Sequence, residues 1–501
     1  MNLFFLSLPF LVAFLSAVVA KTEKVARRSS LVFSVIGGLA SIFFAWPYLF
    51  NPQSQLLGTW FRMDSFSALM VLLIACIYIF ALIVSVRYIG HEYGEKIITF
   101  SQYKMYFALF QLFVLCMLVV VLTNNVLLLW LALEGTTLSS TFLVGLYRKK
   151  TSMEAAWKYM IICSTGISLG LLGILLLSYG AHVGGVAEGN IFLLNKLAES
   201  AHLIPINIIK LAFIFIFIGF GTKIGLAPMH TWLPDAHSKA PSPISAIFSA
   251  VLLTVALYAV LRFKFIADNA FLSSVWTNHL FLIFGFLSIM LAALMMLIQT
   301  NYKRMLAYSS IEHMGIIIFS VGLSPLGAVA ALMHILGHTF AKSMLFFGAG
   351  EILIRWKTTK IAKIKNMFEE ARYTSILFLL GIVMIVAIPP SALFVSEYAM
   401  FAQVIVLHPV VSILLFIALG IIAYAMLSLS VKMIFAKEPA SATSSGAAKP
   451  ALAEATVGKE KWNVTHTIMS VELCMVVFLA WWLTTPGSMG VLGNITKTFI
   501  Y

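Results

Sequence analysis

The sequence predicts an all-α integral membrane protein with about fourteen transmembrane helices, and three observations predict it. Of the 501 residues, 61% are hydrophobic and 10% charged, whereas a soluble protein of this size carries roughly 25% charged residues. Apolar runs of about 18–25 residues, long enough to cross a bilayer as a helix, recur along the whole chain. The basic residues between these runs fall alternately into rich and poor loops, as the positive-inside rule requires of a multi-pass chain.

The runs centre near residues 11, 39, 75, 113, 135, 168, 215, 253, 288, 315, 338, 385, 422 and 474. The first, within MNLFFLSLPFLVAFLSAVVA, ends in small residues as a signal peptide does. It lacks a basic n-region, however, and its positive charges follow the apolar run, so it reads as a retained first span. Closely spaced runs are parted at Asn124–Asn125 and Ser324–Pro325 by short polar or proline-containing turns. The stretch RWKTTKIAKIKNMFEEARY (355–373) predicts a basic amphipathic surface helix lying against lipid headgroups, with partner docking as the alternative. EPASATSSGAAKPALAEATVG (438–458) has no apolar period and reads as a flexible linker. The organisation expected is spans 1–3 over 1–100, spans 4–8 over 101–265, and spans 9–13 over 266–437. The linker then covers 438–461, and span 14 with a short tail covers 462–501.

With these spans, twenty-five lysines and arginines fall on one side and six on the other, while Lys223 and Lys342 lie at membrane depth; together these are all 33. The sparse side takes Arg62, Lys196, Lys210, Arg262, Lys264 and Lys497. Both termini are then expected on the outer side. The net charge of +14 is an orientation signal, with no support for a nucleic-acid role. Cys76, Cys116, Cys163 and Cys474 are scattered through apolar runs with no C-x-x-C pair. Neither a disulfide framework nor a zinc or iron–sulfur centre is therefore expected, and no cofactor.

Ionisable residues inside spans are costly, at roughly 2.5–3.5 kcal/mol near the bilayer centre, and mark functional sites by default. The fifth span holds Glu134, the seventh Lys223, the tenth Glu312 and His313, the eleventh His334, His338 and Lys342, and the twelfth Glu397. Positions 334, 338 and 342 repeat every four residues and share one helix face, as a proton relay or an interhelical hydrogen-bond seam would. Glu134 and Lys223 are complementary charges. They read as a static lock or as a switch in which moving the carboxylate releases the lysine's proton, and the position of Lys223 favours the switch.

That position is a broken helix. Gly221, Gly225 and Pro228 interrupt the seventh span beside Lys223, and Pro389 and Pro390 interrupt the twelfth ahead of Glu397. Interrupted spans at corresponding positions point to two inverted five-helix repeats, spans 4–8 and 9–13, around a midplane ion path.

The strings ALEGTTLSSTFLVGLY, EAAWKYMIICSTG, GFGTKIGLAPMHTWLPDAHSKAPSPISA, KRMLAYSSIEHMG, HILGHTFAKSMLFFGAGEIL and IPPSALFVSE resemble the proton-antiporter-like subunits of respiratory complex I, Mrp antiporters and group 4 hydrogenases. Within them, TTLSSTFLVG, EAAWKY and AYSSIEHMG resemble hydrogenase-4 component F. The resemblance implies a fourteen-helix fold with broken helices 7 and 12. It places the lysine-modulating glutamate on Glu134, the central lysine on Lys223, the helix-11 histidines on His334 and His338, and the terminal exchange residue on Glu397. Relatives usually carry a lysine or histidine on helix 8. Here SAIFSAVLLTVALYAVLRF offers only Ser249 and Thr254, so bound water would have to bridge the two halves.

The function expected is proton translocation by a subunit of a redox-driven complex of hydrogenase-4, formate hydrogenlyase or NADH-quinone oxidoreductase type. The chain has no redox or catalytic centre of its own. Its partners would be other membrane and peripheral subunits, the lipid bilayer, and protons or Na⁺, in a bacterial cytoplasmic membrane. The alternatives are an Mrp-type cation/proton antiporter subunit, a proton-coupled partner of an inorganic-carbon uptake complex, and a scaffold whose buried charges are static.

Overall fold

Several of the helices begin at a short polar side chain that caps them. A computed structural model describes residues 3–51, 53–437 and 460–500. Helix α1 spans Leu3–Val19 and α2 spans Glu23–Leu49, capped by Thr22. A two-stranded ribbon, β1 (Gln55–Leu56) with β2 (Arg62–Met63), leads to α3 (Ser65–Gly94), capped by Asp64. Thr99 and Gln102 form a capping box on α4 (Phe100–Leu122), and Asn125 caps α5 (Val126–Val144). Such caps satisfy orphan N–H groups that would otherwise face the membrane edge unpaired. Next come α6 (Lys150–Val183), the short α7 (Leu194–Glu199) and α8 (Ile206–Ile224).

Helix α8 stops inside the bundle. Gly225 adopts φ 81°, which L-residues with a side chain avoid, and its N–H returns to Gly221 and Thr222. The chain resumes as α9 (Trp232–Lys239), whose Trp232 indole donates back to the freed carbonyl of Thr222 at 2.8 Å. Helix α10 (Ser242–Ile247) passes through a π-helical turn at Phe248–Leu252 into α11 (Leu253–Phe271). The second half runs α12 (Val275–Met296), α13 (Tyr302–Leu323) and α14 (Pro325–Trp356). After the short α15 (Met367–Glu370), α16 (Arg372–Ile385) and α17 (Ala392–Leu407) form a second interrupted helix. Ser391 bridges that break, capping α17 and donating to the carbonyl of Met384 at 2.7 Å. Helices α18 (Pro409–Phe435), α19 (Val464–Leu483) and α20 (Pro486–Ile500) complete the described chain.

The protein is an all-α, multi-pass membrane protein. Among the described residues, twelve helices are long and apolar enough to cross a membrane, and three shorter apolar ones are the first helix and the two halves at 372–407. The most apolar stretches of the α10–α11 unit, α13 and α14 are wholly buried and form the centre, while α2, α6, α12, α18 and α19 keep an outward face. Helices α6 and α8 cross closely. A Cβ on Gly219 would lie 2.5 Å from Gly166 O and Gly170 N, so only glycine lets these backbones meet.

Two sequence expectations are corrected. The stretch 355–373 is no amphipathic helix: it holds a 3₁₀ turn at Ile361–Lys363 and the four-residue α15. Ile361, Ile364, Met367 and Ala371 turn inward, and Asn301 pairs with Lys360, so tertiary docking overrides the helical period. Arg262 and Lys264 were assigned to a loop but lie buried in α11. Arg262 donates to Asp64 at 2.6 Å and to Thr498 O at 3.0 Å, which ties α20 to the core, and Lys264 pairs with Asp268 at 2.5 Å. Asp64 also accepts from Arg62. Burial raises its pKa, but the two guanidiniums outweigh that and hold it well below the usual carboxylate range. Most of the expected linker, 438–459, lies outside the described residues.

Candidate functional site

Lys223 lies on the last turn of α8, two residues before the break, and is fully buried. Its ammonium donates to Thr137 Oγ1 on α5 at 2.9 Å and to Tyr159 OH on α6 at 2.5 Å. It also stands over the Tyr159 ring, 4.7 Å from the centroid. Tyr159 OH in turn meets Ser140 Oγ at 2.8 Å. The close α6–α8 crossing brings these groups into register.

The direct Glu134–Lys223 ion pair expected from the sequence is not made. Thr137, one turn further along α5, takes the place facing the lysine. Glu134 instead accepts from Ser164 Oγ on α6 at 2.6 Å, and its Oε2 has no hydrogen-bond partner in the structure. The residue is partly exposed at the rim of the bundle, with exposed Leu131 and Leu138 beside it, while Oε2 itself is buried.

The second half gathers its polar groups between α13, α14 and α17. His334, His338 and Lys342 are fully buried. Lys342 donates to Leu306 O at 2.8 Å. The His338 ring stands 5.2 Å from that of His313, and neither of its nitrogens has a partner in the structure. His313 Nδ1 meets His334 Nε2 at 2.9 Å, and His334 Nδ1 meets Ser396 Oγ at 2.9 Å. Glu397 follows Ser396 and is half-buried.

Between the halves, Ser249 on the π-helical turn meets Ser310 Oγ at 2.7 Å. Ser310 donates to Leu306 O at 3.2 Å, the same carbonyl that Lys342 uses. Ser249 is thus wired to the second half through one shared acceptor. Thr254 is not, because its hydroxyl goes to Val251 O within its own helix. On the Lys223 side Phe248 intervenes, its ring packed on Tyr159 at 5.8 Å and on His237 at 5.9 Å. Pro228, with Gly225, lies in the first break, and Pro389 and Pro390 in the second.

Sequence reading passed over three groups here. His237 is fully buried with both nitrogens unpartnered and its ring stacked on Phe346 at 5.0 Å. Lys303, assigned to a loop, is buried and donates to Ala240 O at 3.1 Å. Glu472 on α19 is fully buried and accepts from Ser343 Oγ at 2.5 Å. His237 stands in the PDAHSK string and Glu472 in an otherwise apolar run, which were the available signals.

Two interrupted helices and a line of buried amines, imidazoles and carboxylates define an antiporter-like membrane subunit. The chain belongs to the family described as NADH:quinone oxidoreductase/Mrp antiporter, TM, which matches residues 123–423. A hydrogenase-4 component F homolog of Methylacidiphilum infernorum (isolate V4) is 34% identical over 403 residues, 79% of this chain and 82% of that protein. Two solved structures share the fold. The membrane-bound sulfane sulfur reductase, an archaeal respiratory membrane complex, has a chain that superimposes with TM-score 0.84 at 20% identity, covering 99% of this chain and 98% of that one. The Mrp complex from Dietzia sp. DQ12-45-1b has one with TM-score 0.80 at 18% identity, covering 99% and 97%.

Proposed function

We propose that this chain translocates protons as a subunit of a redox-driven membrane complex of hydrogenase-4 or NADH-quinone oxidoreductase type. The complex would sit in a bacterial cytoplasmic membrane, with both chain termini outside. The observation that carries the reading is the setting of Lys223, which is buried beside a helix break and held by two hydroxyls, with no carboxylate of the described residues in contact. A charged lysine donates to both hydroxyls. A neutral one donates to Thr137 and accepts from Tyr159 O–H, so either protonation state is satisfied without repacking. A static lock would instead press a carboxylate onto the amine, because an unpaired buried charge is costly.

Glu134 then acts from one turn away. Drawing its carboxylate towards Lys223 favours the ammonium, and drawing it towards Ser164 or a neighbouring subunit favours release. In the second half, the Ser249–Ser310–Leu306 connection leads to Lys342, and His338, His313 and His334 lead on to Glu397, which exchanges with one aqueous side. The two halves, 101–265 and 266–437, serve as inverted repeats. Partner subunits supply the electron transfer that moves Glu134, as the name of the hydrogenase-4 relative suggests.

The test uses the intact complex, purified in mild detergent, identified by mass spectrometry and reconstituted in vesicles. Lys223→Ala and Glu134→Ala should each lower electron-driven proton uptake or release. Unchanged pumping in either would overturn the proposal, and transport that follows Na⁺ instead of pH would establish the Mrp-type alternative.

A further inference from the structure

We infer that His313, His334 and Glu397 form a binding site for a first-row divalent cation of zinc type. One ligand atom from each lies within 4.8 Å of the other two. They come from α13, α14 and α17, and two imidazoles with one carboxylate make the donor set of open zinc sites, in which a fourth position is left for water.

The hydrogen bonds around the cluster fix which lone pairs are free. Ser396 Oγ donates to Leu393 O at 2.9 Å, so it accepts from His334 Nδ1–H. His334 Nε2 therefore carries a lone pair aimed at His313 Nδ1, 2.9 Å away. In the absence of metal, that lone pair accepts the proton on His313 Nδ1. His313 Nε2 is then left without a hydrogen-bond partner, and so is Glu312 Oε2, 4.0 Å from it. With a dication bound beside the rings, the proton of His313 moves to Nε2, which faces the Glu312 carboxylate across 4.0 Å, and Nδ1 becomes a ligand.

His334 has the outer hydrogen-bond partner that ligating histidines almost always have, Ser396, and the outer nitrogen of His313 faces the Glu312 carboxylate at 4.0 Å. The carboxylates of Glu397 and Glu312 balance the two charges of the ion, and His338 packs on the His313 ring. Glu397 is only partly buried, whereas both histidines are closed off. The inference rests on geometry and holds whichever ion the chain transports.

The test binds Co²⁺ to the full chain, purified without a polyhistidine tag. Tetrahedral d–d absorption that saturates at one equivalent and is displaced by Zn²⁺ is the expected result. Glu397→Gln should abolish it. Glu312→Gln and Ser396→Ala, which keep all three ligands, should weaken Zn²⁺ binding about 10- to 100-fold. Each variant is checked by its thermal midpoint, so that misfolding is not read as lost binding. Absence of the bands in the wild-type chain would overturn the inference. So would an unchanged Zn²⁺ affinity in correctly folded Glu397→Gln.

Discussion

Gly219→Ala tests whether the α6–α8 crossing sets the geometry at Lys223. The new Cβ would lie 2.5 Å from Gly166 O and Gly170 N, both backbone atoms that cannot swing aside. Ordinary contact begins at 3.4 Å, so the helices must part by about 0.9 Å at this level. Lys223 sits four residues further along α8, about one turn away, and its bond to Tyr159 on α6 is 2.5 Å long. Opening it by that amount takes it to the edge of hydrogen bonding. Overpacking of this kind costs about 1–3 kcal/mol, and a misplacement of about 1 Å at a reacting group can slow a step about 10²-fold. The assay is proton uptake by vesicles holding the intact complex, with the thermal midpoint of the same preparation as control. A folded Gly219→Ala complex that pumps at the wild-type rate would refute the claim that this crossing positions the lysine. The companion Gly58→Ala, at an exposed turn with open space around its Cβ but φ 94°, should cost some local stability and no pumping.

Other expectations follow from the same contacts. Asp64→Asn leaves Arg62 and Arg262 buried without their carboxylate, which should destabilise the chain by about 3–5 kcal/mol, read as a lowered thermal midpoint in detergent. Ser249→Ala removes one hydrogen bond, worth about 0.5–1.5 kcal/mol, so stability should hardly move while pumping slows; unchanged pumping would take Ser249 out of the path. Glu460 accepts from Tyr373 N, Thr374 N, Thr374 Oγ1 and His466 Nε2. Burial raises its pKa, but these hydrogen bonds outweigh that and bring it below its ordinary 4.5. Its stabilisation is therefore full above pH 4.5 and lost as the pH falls through the lower folded value, a loss that Glu460→Gln should remove from the acid limb of a stability–pH profile.

Much of the architecture was legible because the bilayer forces it to be. Apolar length, loop charge and the Gly225 and Pro389–Pro390 breaks report local constraints that survive in one dimension. The pairing of side chains was not legible. Lys223 was matched to Glu134 by charge, yet its contacts are Thr137 and Tyr159, neutral groups with no signature in the sequence. The 355–373 stretch shows the same limit, since its basic amphipathic period is overridden by four inward apolar residues and the Asn301–Lys360 bridge. Cysteine spacing speaks only to thiolate sites, whereas the imidazole–carboxylate cluster inferred above comes from three helices and has no spacing to read. Ser249 was singled out for want of anything better on its helix. Its link to Ser310 depends on a π-helical turn that residue types alone do not announce.

The most direct test of the account is the number of protons moved per electron pair by the reconstituted complex carrying Lys223→Met. This substitution keeps the bulk of the side chain and removes its proton. The account predicts a lower ratio while electron transfer continues. A wild-type ratio would contradict it and leave Lys223 as a structural residue.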